Sequence, residues 1–572
     1  YLCARKTNKP LWVVVPSLAV PLVLLLFTNL RFGVITPAAP LSGAALILAG
    51  LTAFATWRLL PLTTDAGIRH CAGVYAAACA TFVTVALSLV LDEAALTVAM
   101  ALLVLAISLV WRQVPLRILW SFTLALATVV VIRLTFNPFI FDYARTDWLG
   151  EHWVLYGFGL SAIVFYLAAQ VLRKSDDDEL VMALESGALV FAVLLVTYEV
   201  RIFIEGSISA RNYGFLEMSV QSVSWLTSAY GLIIRNARTP RFFTLWGSRV
   251  LLAIASAQVL ILQVLVNNPA LIGERLKGFF PADSLLLAYL APAVLLWFIV
   301  PRLPAISLAK FQDHFTGFAA GLVFVYVTLE VRHIFQGATL FVSHDSNLEL
   351  YVTTLAWFAL GGVMLTVPLL KANDMLVRCG KAIVALALLM VVAGHIGVFN
   401  PVLTGLPVPG VALFNILLLG FALPAVGLAV AARLSPGTTL EHYRDHLGIA
   451  AYAIGFAYLT LEVRRFFHGR FMDVGAISDA EYYGYSLVWL IYALAVLLVG
   501  MWLKRSMIRH AALAVLVLVV LKVFLSDMAG LGGLYRVASF MGLGLSLVGI
   551  GYLYQRFVFT GSSETADAQT GG

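Results

Sequence analysis

Val196-Thr-Tyr-Glu-Val-Arg201 returns as Val327-Thr-Leu-Glu-Val-Arg332 and again as Leu459-Thr-Leu-Glu-Val-Arg464. The closing arginines recur at an interval of about 131 residues, and self-similarity at a fixed interval marks a chain built by repeating one structural unit. Other landmarks keep that period. Glu217, Glu349 and Glu481 follow the three motifs, with Trp225, Trp357 and Trp489 each eight residues further on, and Gly206, Gly337 and Gly469 come five residues after each arginine. Asn137-Pro138, Asn268-Pro269 and Asn400-Pro401 recur at the same interval, as do Pro292 and Pro424.

The solvent of that unit follows from composition. Hydrophobic residues make up 61% of the 572 residues and charged ones only 12%, with a mean hydropathy of +0.95. Apolar runs of about 20 residues, long enough to cross a hydrocarbon core of about 30 Å, recur from end to end. Eighteen such runs can be marked out, among them 180-201, 217-235, 284-301, 315-335, 410-433 and 535-556. The expectation is an all-α, polytopic transmembrane protein made of tandem four-helix repeats. An even number of spans per unit keeps successive units in one orientation, so the array is parallel.

The period divides the chain into a first span with its flanks (1-40), a degenerate first repeat (41-136), three repeats (137-267, 268-399 and 400-526), a terminal helix unit (527-560) and a polar tail (561-572) expected to be disordered. The first repeat lacks the Thr-x-Glu-Val-Arg element and offers only Asp92 and Glu93, as terminal repeats often diverge. The chain begins with Tyr1 and shows no signal peptide, which reads as a fragment of a longer protein.

Of the 37 Lys and Arg residues, 24 fall on the N-terminal segment and the even-numbered loops, and 13 on the odd ones. The positive-inside rule then puts both ends of the chain in the cytoplasm and the Glu-Arg motifs on the outer side of a bacterial inner membrane. The formal charge of +7 is accounted for by topology, so nucleic acid is not expected as a partner. The bilayer is one partner, and other envelope or periplasmic proteins are a second class. Cys3, Cys71, Cys79 and Cys379 have neither redox nor metal spacing.

Charges at membrane depth cost at least about 2.5 to 3.5 kcal/mol at a helix centre, so repeated ones need partners. Glu199 with Arg201, Glu330 with Arg332 and Glu462 with Arg464 are two residues apart, about 200° around a helix, and point away from each other. The arginines can instead reach Glu217, Glu349 and Glu481 on the next helix. One reading is an ion-paired clamp between adjacent helices, and the other is a row of polar pockets. Near the C-terminus Lys522, Asp527 and Arg536, around a Gly-rich turn, form either a snorkelling ion pair or an anion site with Asp527 as counter-ion or base. His442 and His446 have the i, i+4 spacing of a helical metal pair but no third ligand nearby, so no metal site is expected, and no cofactor.

The Thr-Leu-Glu-Val-Arg elements, the Asn-Pro pairs and the ending from Lys522-Val-Phe-Leu-Ser-Asp527 through Leu534-Tyr-Arg536 to Tyr552-Leu-Tyr-Gln-Arg556 resemble a bacterial family of predicted membrane proteins catalogued as domain of unknown function 2339. That resemblance implies a multi-pass membrane protein, longer at its N-terminus, and no particular activity. Phosphate-loop, dinucleotide, zinc-protease and serine-hydrolase motifs are absent from the sequence. Three functions stay open: an envelope scaffold or docking protein without enzymatic activity; a transporter, channel or flippase with a cavity lined by the Glu and Arg residues; and an intramembrane enzyme acting on a lipid-linked or glycan substrate.

Overall fold

The computed structural model describes residues 10–527 except 33–37, 63–65, 92, 114, 116, 138–152, 176, 210–212 and 341–346, together with scattered residues between 537 and 552. Cys3, Asp92, Pro138, Asp176, the Gly-rich turn, Arg536, most of the 535-556 span and the 561-572 tail lie outside the described residues. Among the described residues, fifteen helices are long and apolar enough to cross a membrane. Strand is confined, among the described residues, to two short hairpins. The protein is an all-α polytopic membrane protein.

Large apolar side chains stay open to the surroundings along these helices, including Ile47, Leu265, Val392 and Leu498, each more than half exposed. In water such a surface would be untenable, whereas against lipid tails it loses nothing. The chain divides into two compact units, one of Tyr1–Asn268 with Leu286–Phe315, the other of Pro269–Leu285 with Thr316–Gly572. In the first, Trp153, Phe158, Phe165 and Phe191 centre an apolar core. In the second, Val391, Leu417 and Phe421 gather around Tyr351.

The motifs end three long helices: Glu179–Glu205, Gln312–Gln336 and Arg444–His468. The first starts at Asp178, whose carboxylate accepts from the backbone N–H groups of Leu180 and Val181 and so satisfies two donors that the first turn leaves over. It stops at Gly206, which takes φ +77°, a left-handed cap that costs glycine little. Gly337 (φ +74°) and Gly469 (φ +71°) close the other two, and this explains the glycine five residues after each arginine.

Each motif helix is followed by a partner helix, Phe215–Arg238, Leu348–Thr366 or Asp479–Trp502. Trp225 Nε1 donates to Thr197 Oγ1 at 2.9 Å, Trp357 to Thr328 at 2.9 Å and Trp489 to Thr460 at 3.0 Å. One hydrogen bond, made three times, accounts for both the threonine of the motif and the recurring tryptophan.

One run that hydropathy reads as a plain span has more structure. Residues 410-433 begin as a hairpin pairing Gly410–Val411 with Phe414–Asn415, and only Leu418–Leu434 is helical. The counterpart hairpin pairs Gly278–Phe279 with Ala282–Asp283 ahead of the helix Leu286–Ile306. Apolar content alone cannot separate a hairpin from the first turns of a span. The span read at 217-235 is the helix Phe215–Arg238, rich in Ser and outside the fifteen apolar ones.

Wide π-type turns precede the prolines. Leu286–Leu290 runs into Pro292 and Leu418–Ala422 into Pro424. Proline has no N–H to return to the preceding turn, and the turn there is loosened. The Asn-Pro pairs follow two further π segments, Gln258–Val266 and Met390–Val398, and each starts a single helical turn, Pro269–Ile272 or Pro401–Thr404. Asn400 caps the second of these by accepting from Val402 N–H.

Candidate functional site

The arginines reach across to the partner helices. Arg201 Nη1 lies 2.9 Å from Glu217 Oε1, and Arg464 Nη1 lies 3.1 Å from Glu481 Oε1, with both glutamate side chains wholly buried. Each arginine also donates Nε to a backbone carbonyl in the loop beyond its helix, Ile208 or Met472, at 2.9 Å. The guanidinium thus ties together the motif helix, the loop and the partner helix. A planar group with five donors suits that task where a lysine would not.

The side chain four residues after the arginine varies, and with it the clamp. His468 Nε2 sits 2.7 Å from Glu481 Oε2, and Tyr485 donates to the same carboxylate. In the middle occurrence Gln336 Nε2 donates to both oxygens of Glu349, while Arg332 Nε stands off at 3.9 Å.

The motif glutamates face a different structure. Glu462 Oε1 accepts from Asn415 Nδ2 at 2.6 Å and its Oε2 from Leu413 N–H at 2.9 Å, while Arg465 Nη2 donates to Gly410 O at 2.6 Å. The helix end therefore grips a hairpin. Leu413 has φ +67°, a left-handed conformation unusual for leucine, at the residue whose N–H the carboxylate receives.

Glu330 meets the other hairpin in the same way but with different chemistry. Asp283, on the second strand, and His333, one turn beyond Glu330, converge on it, and one ligand-type atom from each lies within 4.8 Å of the others. His333 Nδ1 is 2.7 Å from Asp283 Oδ2 and 3.8 Å from Glu330 Oε2. Glu330 is 6% exposed, and among the described residues no N–H or O–H donor reaches either of its carboxylate oxygens. The residues one period before Asp283, which would face Glu199, lie outside the described residues.

The family described as "Predicted membrane protein (DUF2339)" matches residues 1–387 and 377–557. The chain belongs to this family. No curated protein and no solved structure matches it. Membership gives membrane residence and the bilayer as partner, and leaves activity to be argued from the DUF2339 chain itself.

At the C-terminal end of the described chain, Lys522 Nζ donates to Asp527 Oδ1 at 2.8 Å, to Ser486 Oγ at 2.6 Å and to Tyr482 O at 3.0 Å. The ammonium also stands 4.2 Å from the centre of the Tyr482 ring. All three ammonium protons have partners, and Ser486 Oγ donates in turn to Asp527 Oδ2. The pair is a closed network between two helices of the second unit.

Sequence reasoning singled out Glu330 and Glu462 but missed Asp283, His333, Asn415 and Arg465, which decide what each glutamate meets. The signal was present: Asp283 aligns with Asn415, and His333 with Arg465, at the same interval that separates Arg332 from Arg464. A buried polar pair went unread too. Gln263 donates to Ser222 Oγ at 2.7 Å, and at the matching positions one period later His395 Nε2 lies 3.0 Å from Thr354 Oγ1 and its Nδ1 3.0 Å from Gly420 O. His442 and His446 do not belong to the one group of three metal-capable side chains found among the described residues.

Outside the spans, Tyr213 donates to Gln221 and borders Glu217. Burial, with the Glu217 charge adding to it, pushes its hydroxyl up to about 12, so it stays a neutral donor at physiological pH.

Proposed function

We propose that the protein serves as a non-enzymatic scaffold or docking protein of the bacterial inner membrane, with its motif ends on the periplasmic side and both ends of this chain in the cytoplasm. One observation carries the reading most: the arginines at Arg201 and Arg464 are spent on buried carboxylates and loop carbonyls of the same chain. Charges that anchor loops and hairpins to helix ends make a rigid surface at the motif end, which is what a docking partner needs. A transport path lined by the motif glutamates draws less support, because Glu462 is gripped by its own hairpin and 5% exposed. The parallel array of four-helix repeats supports the same reading, since each repeat would add one more ordered loop and hairpin.

The test is reconstitution of the full chain in proteoliposomes, with cross-linking of intact cells in parallel. The scaffold reading expects no movement of ions, sugars, amino acids or fluorescent lipids above empty vesicles, and stoichiometric cross-links to envelope proteins through the motif-end loops. Reproducible solute flux, abolished by substituting Glu330 or Glu462, would contradict it.

A second reading has one feature in its favour. A cleft of about 700 Å³ in the second unit is walled by small residues such as Ala425, Ala429 and Gly448, with Tyr452 and Tyr492 beside them, and it carries Arg433, Arg444 and Arg505. Apolar walls with basic side chains suit an acyl chain with an anionic headgroup, hence a flippase or an enzyme acting on a lipid-linked substrate. Co-purification of one anionic lipid per chain, lost on Arg505→Gln, would favour that reading over the scaffold.

A further inference from the structure

We propose that Asp283, Glu330 and His333 bind a divalent transition-metal ion of the zinc type, which pins the hairpin Gly278–Asp283 to the end of the helix Gln312–Gln336. The inference is independent of the scaffold reading and concerns a site that no family description assigns.

Two carboxylates and an imidazole converge on one point in a buried position. A shell of one nitrogen and two oxygens suits zinc or manganese, whereas calcium and magnesium favour oxygen alone. Zinc–ligand bonds of about 2.0 to 2.2 Å put two ligands of one ion at most about 4.4 Å apart. A tetrahedral shell sets its ligands about 3.3 to 3.6 Å apart, so a bound ion would open the 2.7 Å separation of His333 and Asp283, nearly keep the 3.8 Å one of His333 and Glu330, and draw in the widest, 4.8 Å. His333 Nδ1, though close to Asp283 Oδ2, is not aligned to share a hydrogen bond with it.

Glu330 supplies the independent argument. It is more than nine-tenths buried, is aimed at the cluster and receives no hydrogen bond from an N–H group or a hydroxyl among the described residues, its polar neighbour being the Asp283 carboxyl. A buried carboxylate beside a second one calls for a cation. The last motif occurrence shows what removes that need. There Asn415 replaces the second carboxylate and donates to Glu462, and Arg465 stands where His333 does and brings its own positive charge. A fourth ligand, water or a substrate atom, would complete a tetrahedral shell.

The test uses the full chain in nanodiscs, purified without a polyhistidine tag, stripped with chelator and titrated with Zn²⁺ and Mn²⁺ by calorimetry and elemental analysis. One ion per chain is expected. Glu330→Gln and the double substitution Asp283→Asn/His333→Arg are each expected to weaken binding at least about tenfold, while Glu462→Gln leaves it unchanged. The double substitution reproduces side chains the fold already accommodates at Asn415 and Arg465, and an unchanged elution volume and melting curve in chelator show that it folds. Absence of binding by the native chain, as two carboxyls sharing one proton would give, overturns the proposal. So does binding that survives the double substitution.

Discussion

Around Glu330 the fold places Asp283 and His333, and around Glu462, at the matching position of the next motif, it places Asn415 and Arg465. The backbone device is common to both: a motif helix ends against a two-stranded hairpin, and a glutamate nearly two turns from that end faces it. The charge is not common. The last occurrence balances one carboxylate with one guanidinium and fills the glutamate's lone pairs with Nδ2 and a backbone N–H. The middle one sets two carboxylates beside an imidazole. A position that must be neutral in a low-dielectric setting can be neutralised by the chain or by something it binds.

Removing the glutamates separates the two most sharply. Glu462→Ala strands Asn415, the Leu413 N–H and the Arg465 charge, and is expected to cost about 3 to 5 kcal/mol. In chelator, Glu330→Ala relieves a carboxylate repulsion and changes stability by under about 1 kcal/mol. Denaturant unfolding in micelles measures both, and equal losses would erase the distinction. Next in size, Asp283→Asn/His333→Arg in chelator raises stability by about 1 to 2 kcal/mol, by giving the middle hairpin the neutral arrangement of the last. A loss on the same scale breaks the comparison.

Elements the two occurrences share should respond alike. Trp357→Phe and Trp489→Phe each lose one hydrogen bond to a threonine and are expected to cost about 1 kcal/mol apiece. A difference of more than about 1 kcal/mol between them would show that the shared frame is not equally important in both. Smallest of all, Asp177→Asn breaks the partly exposed pair with Arg241 and should cost less than about 1 kcal/mol, declining with added salt.

Much of this was legible in the residues. Hydropathy sufficed for an all-α membrane fold, because only helices satisfy their own backbone over such apolar runs. The regular spacing of Arg201, Arg332 and Arg464 picked out the threonine, tryptophan and glycine that turn out to be a hydrogen bond and a helix cap. The hairpins were not legible, since Val408 to Leu434 is apolar but for Asn415 and Arg433 and two-residue strands leave no alternation to detect. The cluster at Glu330 was missed for a related reason. Asp283 lies far upstream of Glu330 on one of those unseen hairpins, and His333 stands out only as a departure from the pattern, where Arg465 is its counterpart.

The recurring charges act, above all, as local clamps between neighbouring segments. A double-mutant cycle on Arg464→Met and Glu481→Met, followed by unfolding in nanodiscs, tests this most directly. Clamping predicts that each single substitution destabilises and that the double substitution recovers part of the loss, with a coupling of roughly 1 to 3 kcal/mol between the two sites. Strictly additive effects, with no coupling, would contradict it.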